Sequence, residues 1–165
     1  MFLKELASDS QASQLDGLKH LQGMNDPRIV PALDGLLART QSDEVVESTV
    51  TALSKQKDAR AIPALRKAAA GIYDYFLKLT IAEAQFNVGD TEGFSTLIGI
   101  LEKDDAGYAR HQAIDLLEAK SGKKFGYNPD TSAATNQRAL AEMIRWYSSI
   151  GSRLKFDANT SEFHE

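Results

Sequence analysis

Hydrophobic and polar positions along the chain repeat with a period of 32 residues. The segment Asp26-Pro27-Arg28-Ile29-Val30-Pro31-Ala32-Leu33 returns as Asp58-Ala59-Arg60-Ala61-Ile62-Pro63-Ala64-Leu65, and a weaker third copy begins at Asp90. Small or apolar residues share further columns at the same step: Val45, Leu77 and Ala109, then Thr49, Ile81 and Ala113, then Val50, Ala82 and Ile114. Their spacing within each copy is that of one face of an α-helix. The pattern predicts stacked helix pairs, because a unit of this size cannot bury its apolar face alone.

Polar residues and prolines predict where these helices begin. The first helix of each pair is expected to start at an aspartate and the second at a serine or an aspartate: Asp26, Asp58, Asp90, Ser42 and Asp74. Pro31 and Pro63 fall about one turn inside their helices, so those helices should start late or kink. The predicted helices are 10–24, 27–39, 43–56, 59–70, 74–88, 91–103, 106–120 and 132–150. No strand is predicted.

The strings that begin at Asp26 and Asp58 resemble HEAT repeats, particularly the short bacterial kind related to the phycobilisome-lyase type. The second helices are similar to that family's V-R-x-x-A-A-x-A-L-G-x-I-G-D pattern, with Val46, Lys78 and Arg110 at the position of its arginine. The resemblance covers about residues 13–122. It implies an all-α fold, a right-handed α-solenoid (α-α superhelix) of about four HEAT-like helix pairs plus a C-terminal capping helix. It also implies a protein-binding scaffold.

The chain is expected to form a single domain over 1–165, with HEAT-like repeats at 10–122, a C-terminal cap at 123–151 and a tail at 152–165. The apolar stripe of the capping helix is predicted to be Leu140, Met143, Ile144, Tyr147 and Ile150. Trp146 falls off that stripe, so it is either a binding anchor or a residue that packs on the loop at 125–129. The tail is either loose or a strap over the preceding helices.

Composition is ordinary for a soluble globular protein, with 42% apolar and 25% charged residues in a chain of 165. A net charge of -4 makes nucleic acid an unfavoured partner. The absence of cysteine excludes disulfides and a thiol nucleophile. The first residues lack the apolar run of a signal peptide, and no segment is long and apolar enough to span a membrane. We therefore expect a cytoplasmic protein.

The sequence contains no recognisable catalytic motif. There is no Walker loop, no Gly-x-Ser-x-Gly elbow and no His-Glu-x-x-His. His20, His111 and His164 lie on separate segments without ligand spacing to carboxylates, so neither a metal nor a cofactor is expected.

The function favoured by these observations is therefore that of a noncatalytic scaffold or adaptor that binds a protein or peptide on the concave face. Two alternatives remain: a regulatory or accessory subunit of a lyase-type enzyme, and, less favoured, a HEAT-like nucleic-acid-binding glycosylase. A glycosylase groove would need a basic lining and a positioned acid, which Lys78, Arg110 and Asp115 supply only thinly.

The helix predicted at 74–88 carries two apolar stripes. Leu77 and Ile81 belong to the repeat core, whereas Leu79 and Phe86 belong to a second stripe on roughly the opposite side. By the resemblance, this second stripe faces the groove. The hypothetical partner site consists of Tyr75, Phe76, Leu79, Phe86, Tyr108, Arg110 and His111.

Two alternatives accompany this site. Phe156 and Phe163 of the tail are candidates to cover the second stripe, so that no partner is needed. Lys78 and Arg110, with Glu83 and Asp115 five residues on, either hold an acidic peptide or phosphate, or form ladders of ion pairs between repeats.

Overall fold

The computed structural model describes residues 1–165 and is mostly helical. The α-helices are Phe2–Leu6 (α1), Gln11–His20 (α2), Ile29–Arg39 (α3), Asp43–Gln56 (α4), Ile62–Gly71 (α5), Tyr75–Asn87 (α6), Glu92–Leu101 (α7), Ala109–Ser121 (α8) and Gln137–Ser149 (α9). Short 3-10 turns occupy Ala59–Ala61, Asp104–Ala106 and Gly151–Arg153. Two strands, Lys155–Asp157 (β1) and Glu162–His164 (β2), form an antiparallel hairpin in which Phe156 is opposite Phe163.

Two of the five predicted caps and the proline of α5 explain where their helices begin, whereas Asp26, Asp58 and Asp90 are not the N-caps of α3, α5 and α7, which begin two to four residues later. The Ser42 hydroxyl accepts a hydrogen bond from the Val45 amide at the start of α4, and the Asp74 carboxylate accepts one from the Leu77 amide at the start of α6. These contacts satisfy amides that have no partner within the helix, which confirms both caps. Pro63 is the second residue of α5, where its missing N–H breaks no helical bond. The expected late start of that helix is confirmed.

The helices lie in two layers. In one layer α1 contacts α3, α3 contacts α5, and α7 contacts α9. In the other, α2, α4, α6 and α8 contact one another in succession. Consecutive helices pair across the layers as α1 with α2, α3 with α4, α5 with α6, and α7 with α8. Every member of the three residue columns that repeat every 32 positions is buried.

The sequence did not predict α1, which pairs with α2 ahead of the expected start of the repeats at residue 10. Phe2 and Leu6 are buried, and α2 approaches α1 closely at Gly17. A Cβ at Gly17 would lie 2.9 Å from the Cβ of Glu5, so only glycine fits without displacement. A helix of five residues is too short to show periodicity, which explains why it was missed.

Helix α6 belongs to two hydrophobic clusters. Leu77 and Ile81 pack into a cluster with α1–α5, and Leu79 and Phe86 pack into another with α7–α9. The two stripes predicted for this helix therefore exist, and the protein itself buries both.

The capping helix α9 starts later than predicted, and four of the five residues of its expected stripe pack on the core. Its buried residues are Ala139, Leu140, Met143 and Trp146. Ile144 is 44% exposed, so its assignment to the core was wrong. Trp146 packs edge-on against Phe94 of α7, with ring centroids 5.0 Å apart, and against Phe125 at 5.7 Å. Of the two alternatives for Trp146, packing on the preceding loop is confirmed.

The tail is a strap, which confirms one of its two predicted forms, but the expectation of no strand was wrong. Phe163 lies 5.7 Å from Phe86 and 5.9 Å from Phe94 between ring centroids. Phe156 lies directly over Gly89, whose φ of +84° and lack of a side chain let the ring approach. The hairpin thereby covers the junction of α6 and α7.

The carboxylates of the aspartates at the start of the three repeat copies find positively charged partners in two ways. Asp26 and Asp58 each pair with an arginine two residues on. The Arg28 guanidinium, which hydrogen-bonds to Asp26, lowers the pKa of that carboxyl to about 2. Asp90 has a glutamate at the equivalent position, and is instead buried.

Arg66 of α5 supplies the missing cation to Asp90. Its Nε lies 3.0 Å from Oδ2 and its Nη2 lies 2.7 Å from Oδ1 of that carboxylate. The buried Gln85 amide donates to the same carboxylate at 3.3 Å and accepts from Thr96 Oγ1 at 2.9 Å. A polar network thus joins α5, α6 and α7, with Asp90 and Gln85 buried and Arg66 partly exposed.

We expect Asp90→Ala to lower the free energy of unfolding by about 3 kcal/mol, because it leaves a buried network without its central acceptor. Asp58→Ala is the matched control at the equivalent position, where the ion pair is on the surface, and should cost much less. Urea denaturation of both variants measures the difference. Equal losses would contradict a special role for the Asp90 network.

A second prediction concerns pH. Burial raises the pKa of Tyr147 on α9 to about 12, and Glu92 and Asp90 act in the same direction. Because the pKa in the folded state lies above the ordinary tyrosine pKa of 10.0, this residue's contribution to stability is fully present below pH 10 and is lost as pH rises towards about 12. Urea unfolding across this range should show a steeper loss for the wild type than for Tyr147→Phe. Parallel curves would contradict it.

Candidate partner-binding surface

Three of the seven predicted site residues are buried. Leu79 is 9% exposed, Phe86 is 1% exposed and Arg110 is 5% exposed. Phe86 packs against Phe94 with ring centroids 4.7 Å apart, and against Phe163 of the tail. The prediction that these side chains line an open groove was wrong, because α7 and the hairpin cover Phe86 and the loop before α9 covers Arg110.

Arg110 connects α8 to the loop that precedes α9. Its Nε donates to the Tyr127 hydroxyl at 2.7 Å and its Nη2 donates to the Thr131 carbonyl at 2.6 Å. The Tyr127 hydroxyl donates in turn to the Leu101 carbonyl at 2.7 Å, and burial raises the pKa of Tyr127. Arg110 is therefore a structural clamp and is inaccessible to an acidic ligand.

The predicted ladder of ion pairs is absent. No ion pair joins Lys78 or Arg110 to Glu83 or Asp115. The nearest carboxylate to the Arg110 guanidinium is that of Asp104, at 3.9 Å. Arg110 makes buried hydrogen bonds to Tyr127 and Thr131 in place of the ion pair with a surface carboxylate that the sequence predicted.

The other predicted residues lie at an exposed rim. Phe76 is 52% exposed and Tyr108 is 66% exposed. Tyr73, which the sequence analysis did not single out, is 91% exposed in the turn before α6. We call Tyr73, Phe76 and Tyr108, together with Tyr75 and His111, the aromatic edge. It contains half of the large apolar side chains that are exposed in this chain: Met1, Met24, Tyr73, Phe76, Tyr108 and Ile144.

The fold places Phe76 and Tyr108 at equivalent positions of two helices in contact. Each lies at the N-terminal end of its helix, α6 or α8, and 32 residues separate them. The Tyr108 ring stacks on His111, with centroids 5.4 Å apart and an interplanar angle of 20°. Both rings remain largely in solvent at these helix ends.

Carboxylates border the aromatic edge. The Tyr75 hydroxyl donates to Asp105 at 2.7 Å, and this bond raises the pKa of Tyr75. His111 Nε2 lies 3.0 Å from Asp130 Oδ1. Exposed carboxylates also continue along the same helix layer: Glu44 and Glu47 on α4, Glu83 on α6 and Asp115 on α8. The surface around the edge is acidic.

A cavity of about 610 Å³ lies between α2 and α4 in the same layer. Leu15, Leu18 and Leu21 contribute apolar surface to it. Lys19, Lys55, Glu44 and Glu47 contribute charges of both signs. Ser48 and Thr51 add hydroxyl groups to the same lining.

Comparisons with protein-family models, curated proteins and solved structures found no match. None of the helices combines the length and the apolar character required to cross a bilayer. No group of three or more histidine or acidic side chains is placed to hold a metal ion. Geometry and charge are therefore the observations on which a function has to rest.

Phe86 and Phe76 form a matched pair of substitutions on one helix. Phe86→Ser should lower the free energy of unfolding by about 4 kcal/mol, because it removes a ring at the centre of a cluster. Phe76→Ser should change it by less than about 0.5 kcal/mol, because that ring lies largely in solvent. Thermal or urea unfolding measures both, and a stable Phe86→Ser protein would contradict the observed burial.

Proposed function

We propose that this protein is a noncatalytic interaction scaffold or adaptor, built as a right-handed α-solenoid of HEAT-like helix pairs with a C-terminal cap. The partner-binding surface is the layer formed by α2, α4, α6 and α8, with the aromatic edge as its anchor. The partner is a protein or peptide with a basic, partly apolar segment.

Two observations support the solenoid. The residue columns at a 32-residue step are buried in each copy, as expected for helix pairs that stack on one another. The resemblance of the segments at Asp26 and Asp58 to HEAT repeats points to the same architecture. Repeat proteins of this kind use extended surfaces for binding.

The observation that carries the binding proposal is the clustering of exposed aromatic side chains in a chain that buries nearly all its other large apolar groups. Aromatic rings at a surface are favoured anchors for partners because burial of each contributes about 1.5–3 kcal/mol. That corresponds to about one to two decades of affinity per ring before ordering costs. Phe76 and Tyr108 suffice for a specific contact of moderate affinity.

The charge on this layer defines the partner further. Asp105 and Asp130 border the aromatic edge, and carboxylates recur along the helices. An acidic surface attracts a basic segment and repels phosphate, so the glycosylase alternative is disfavoured. An accessory subunit of an enzyme would use the same surface, with the enzyme as its partner.

The test is capture of partners from native extract by the immobilised full-length protein and by Phe76→Ser/Tyr108→Ser. We expect the double variant to lose proteins that the wild type retains, because both anchors are gone. Met24→Ser/Ile144→Ser is the matched control, since it removes two exposed apolar side chains elsewhere and should retain them. Identical capture by all three proteins would overturn the proposal.

A further inference from the structure

A second surface of opposite charge lies at the C-terminal cap. A cleft of about 420 Å³ opens between the segment that follows α8 and the C-terminal half of α9. Phe125, Trp146 and Ile150 form its apolar part, and Ser149 adds a hydroxyl. We call this the cap cleft.

Two charged groups in the wall of the cap cleft are compensated within the chain. Lys124 pairs with Glu118, and Glu142 pairs with Arg138. The wall therefore gains little net charge from either group.

Lys123 and Arg145, which also line the cleft, have no carboxylate within ion-pair distance. Both side chains are exposed. Arg153 lies close by, because its guanidinium donates to the Ser149 carbonyl. The cap cleft thus combines an apolar floor with cations that the protein itself does not neutralise.

The sequence places a basic segment at this end of an acidic protein. Residues 120–155 contain seven lysines and arginines against two carboxylates, an excess of five positive charges in a chain of net charge -4. Such a local reversal of sign is a feature of surfaces that attract an oppositely charged partner.

Trp146 belongs both to the core and to the wall of the cap cleft. The side chain is 7% exposed, and its indole packs edge-on against Phe94 and Phe125. The small part of the side chain that reaches the surface adds to the apolar wall of the cleft.

We propose that the cap cleft binds an acidic peptide segment of a protein partner. Carboxylates of the segment pair with Lys123 and Arg145, and its aliphatic groups lie against Phe125 and Trp146. The site is independent of the aromatic edge. The aromatic edge lies at the N-terminal end of α8, and the cap cleft lies beyond its C-terminal end. Because α8 has 13 residues, its two ends are about 20 Å apart.

Trp146 is the single tryptophan of the chain, so its fluorescence reports directly on the cleft. A capped hexaglutamate peptide should change the emission of the full-length protein saturably, and binding should weaken as salt rises to about 0.15 M and beyond. In Lys123→Gln/Arg145→Gln we expect at least about tenfold weaker binding. Arg145→Gln alone should give an intermediate loss.

The matched control is Lys4→Gln/Lys67→Gln, which removes the same charge from exposed lysines without ion pairs and should bind as the wild type does. Circular dichroism melting establishes that all variants fold. Equal peptide binding by the cleft and control variants, or none by the wild type, would overturn the proposal. So would tighter binding of inorganic phosphate or single-stranded DNA, or sedimentation showing that the chain binds a second copy through this cleft.

Discussion

Burial of α6 on two opposite faces joins the two halves of the hydrophobic core. Leu77 and Ile81 pack into the cluster formed with the N-terminal helices, and Leu79 and Phe86 pack into the cluster formed with the C-terminal ones. A helix inside a stack lies between the repeat before it and the repeat after it, so the second stripe of α6 needs cover from the C-terminal part of the chain. Helix α7 and the C-terminal hairpin supply it. The cap and the strap follow from that requirement, because without them the rings at the α6–α7 junction would face water.

The sequence is sufficient to predict most of the helices, because repeated columns and capping residues act locally. Ser42 and Asp74 are placed where helices begin, and Thr49 is buried among apolar residues because its hydroxyl donates to the Val45 carbonyl at 2.6 Å. The short elements escape such reasoning. Helix α1 has five residues and each strand has three, which is too few for a periodic pattern. Their formation depends on tertiary contacts with surfaces that only the folded chain presents.

The candidate site could be predicted in part, for a related reason. An apolar stripe on a helix indicates that this face must be buried, but it does not indicate which part of the protein buries it. Phe86 packs against Phe163, which lies near the C-terminal end of the chain, and no local sequence pattern predicts that contact. The prediction that Arg110 is accessible was wrong. Arginine side chains are usually exposed, but here Tyr127 and Thr131 accept hydrogen bonds from the guanidinium inside the fold. The prediction of exposure is correct at Phe76 and Tyr108, which lie at the N-terminal ends of their helices.

Helix α8 places the two proposed surfaces in a fixed relation. Its buried face, with Ala113 and Leu117, and the Arg110 clamp to the cap loop hold it against the core. The aromatic edge at its beginning is bordered by carboxylates, and the cap cleft beyond its end carries unpaired cations. Opposite charges keep a basic segment out of the cleft and an acidic one away from the edge, so two ligands would not compete. A rigid helix between two such sites sets the distance between their occupants, which is the property that an adaptor needs to hold two partners together.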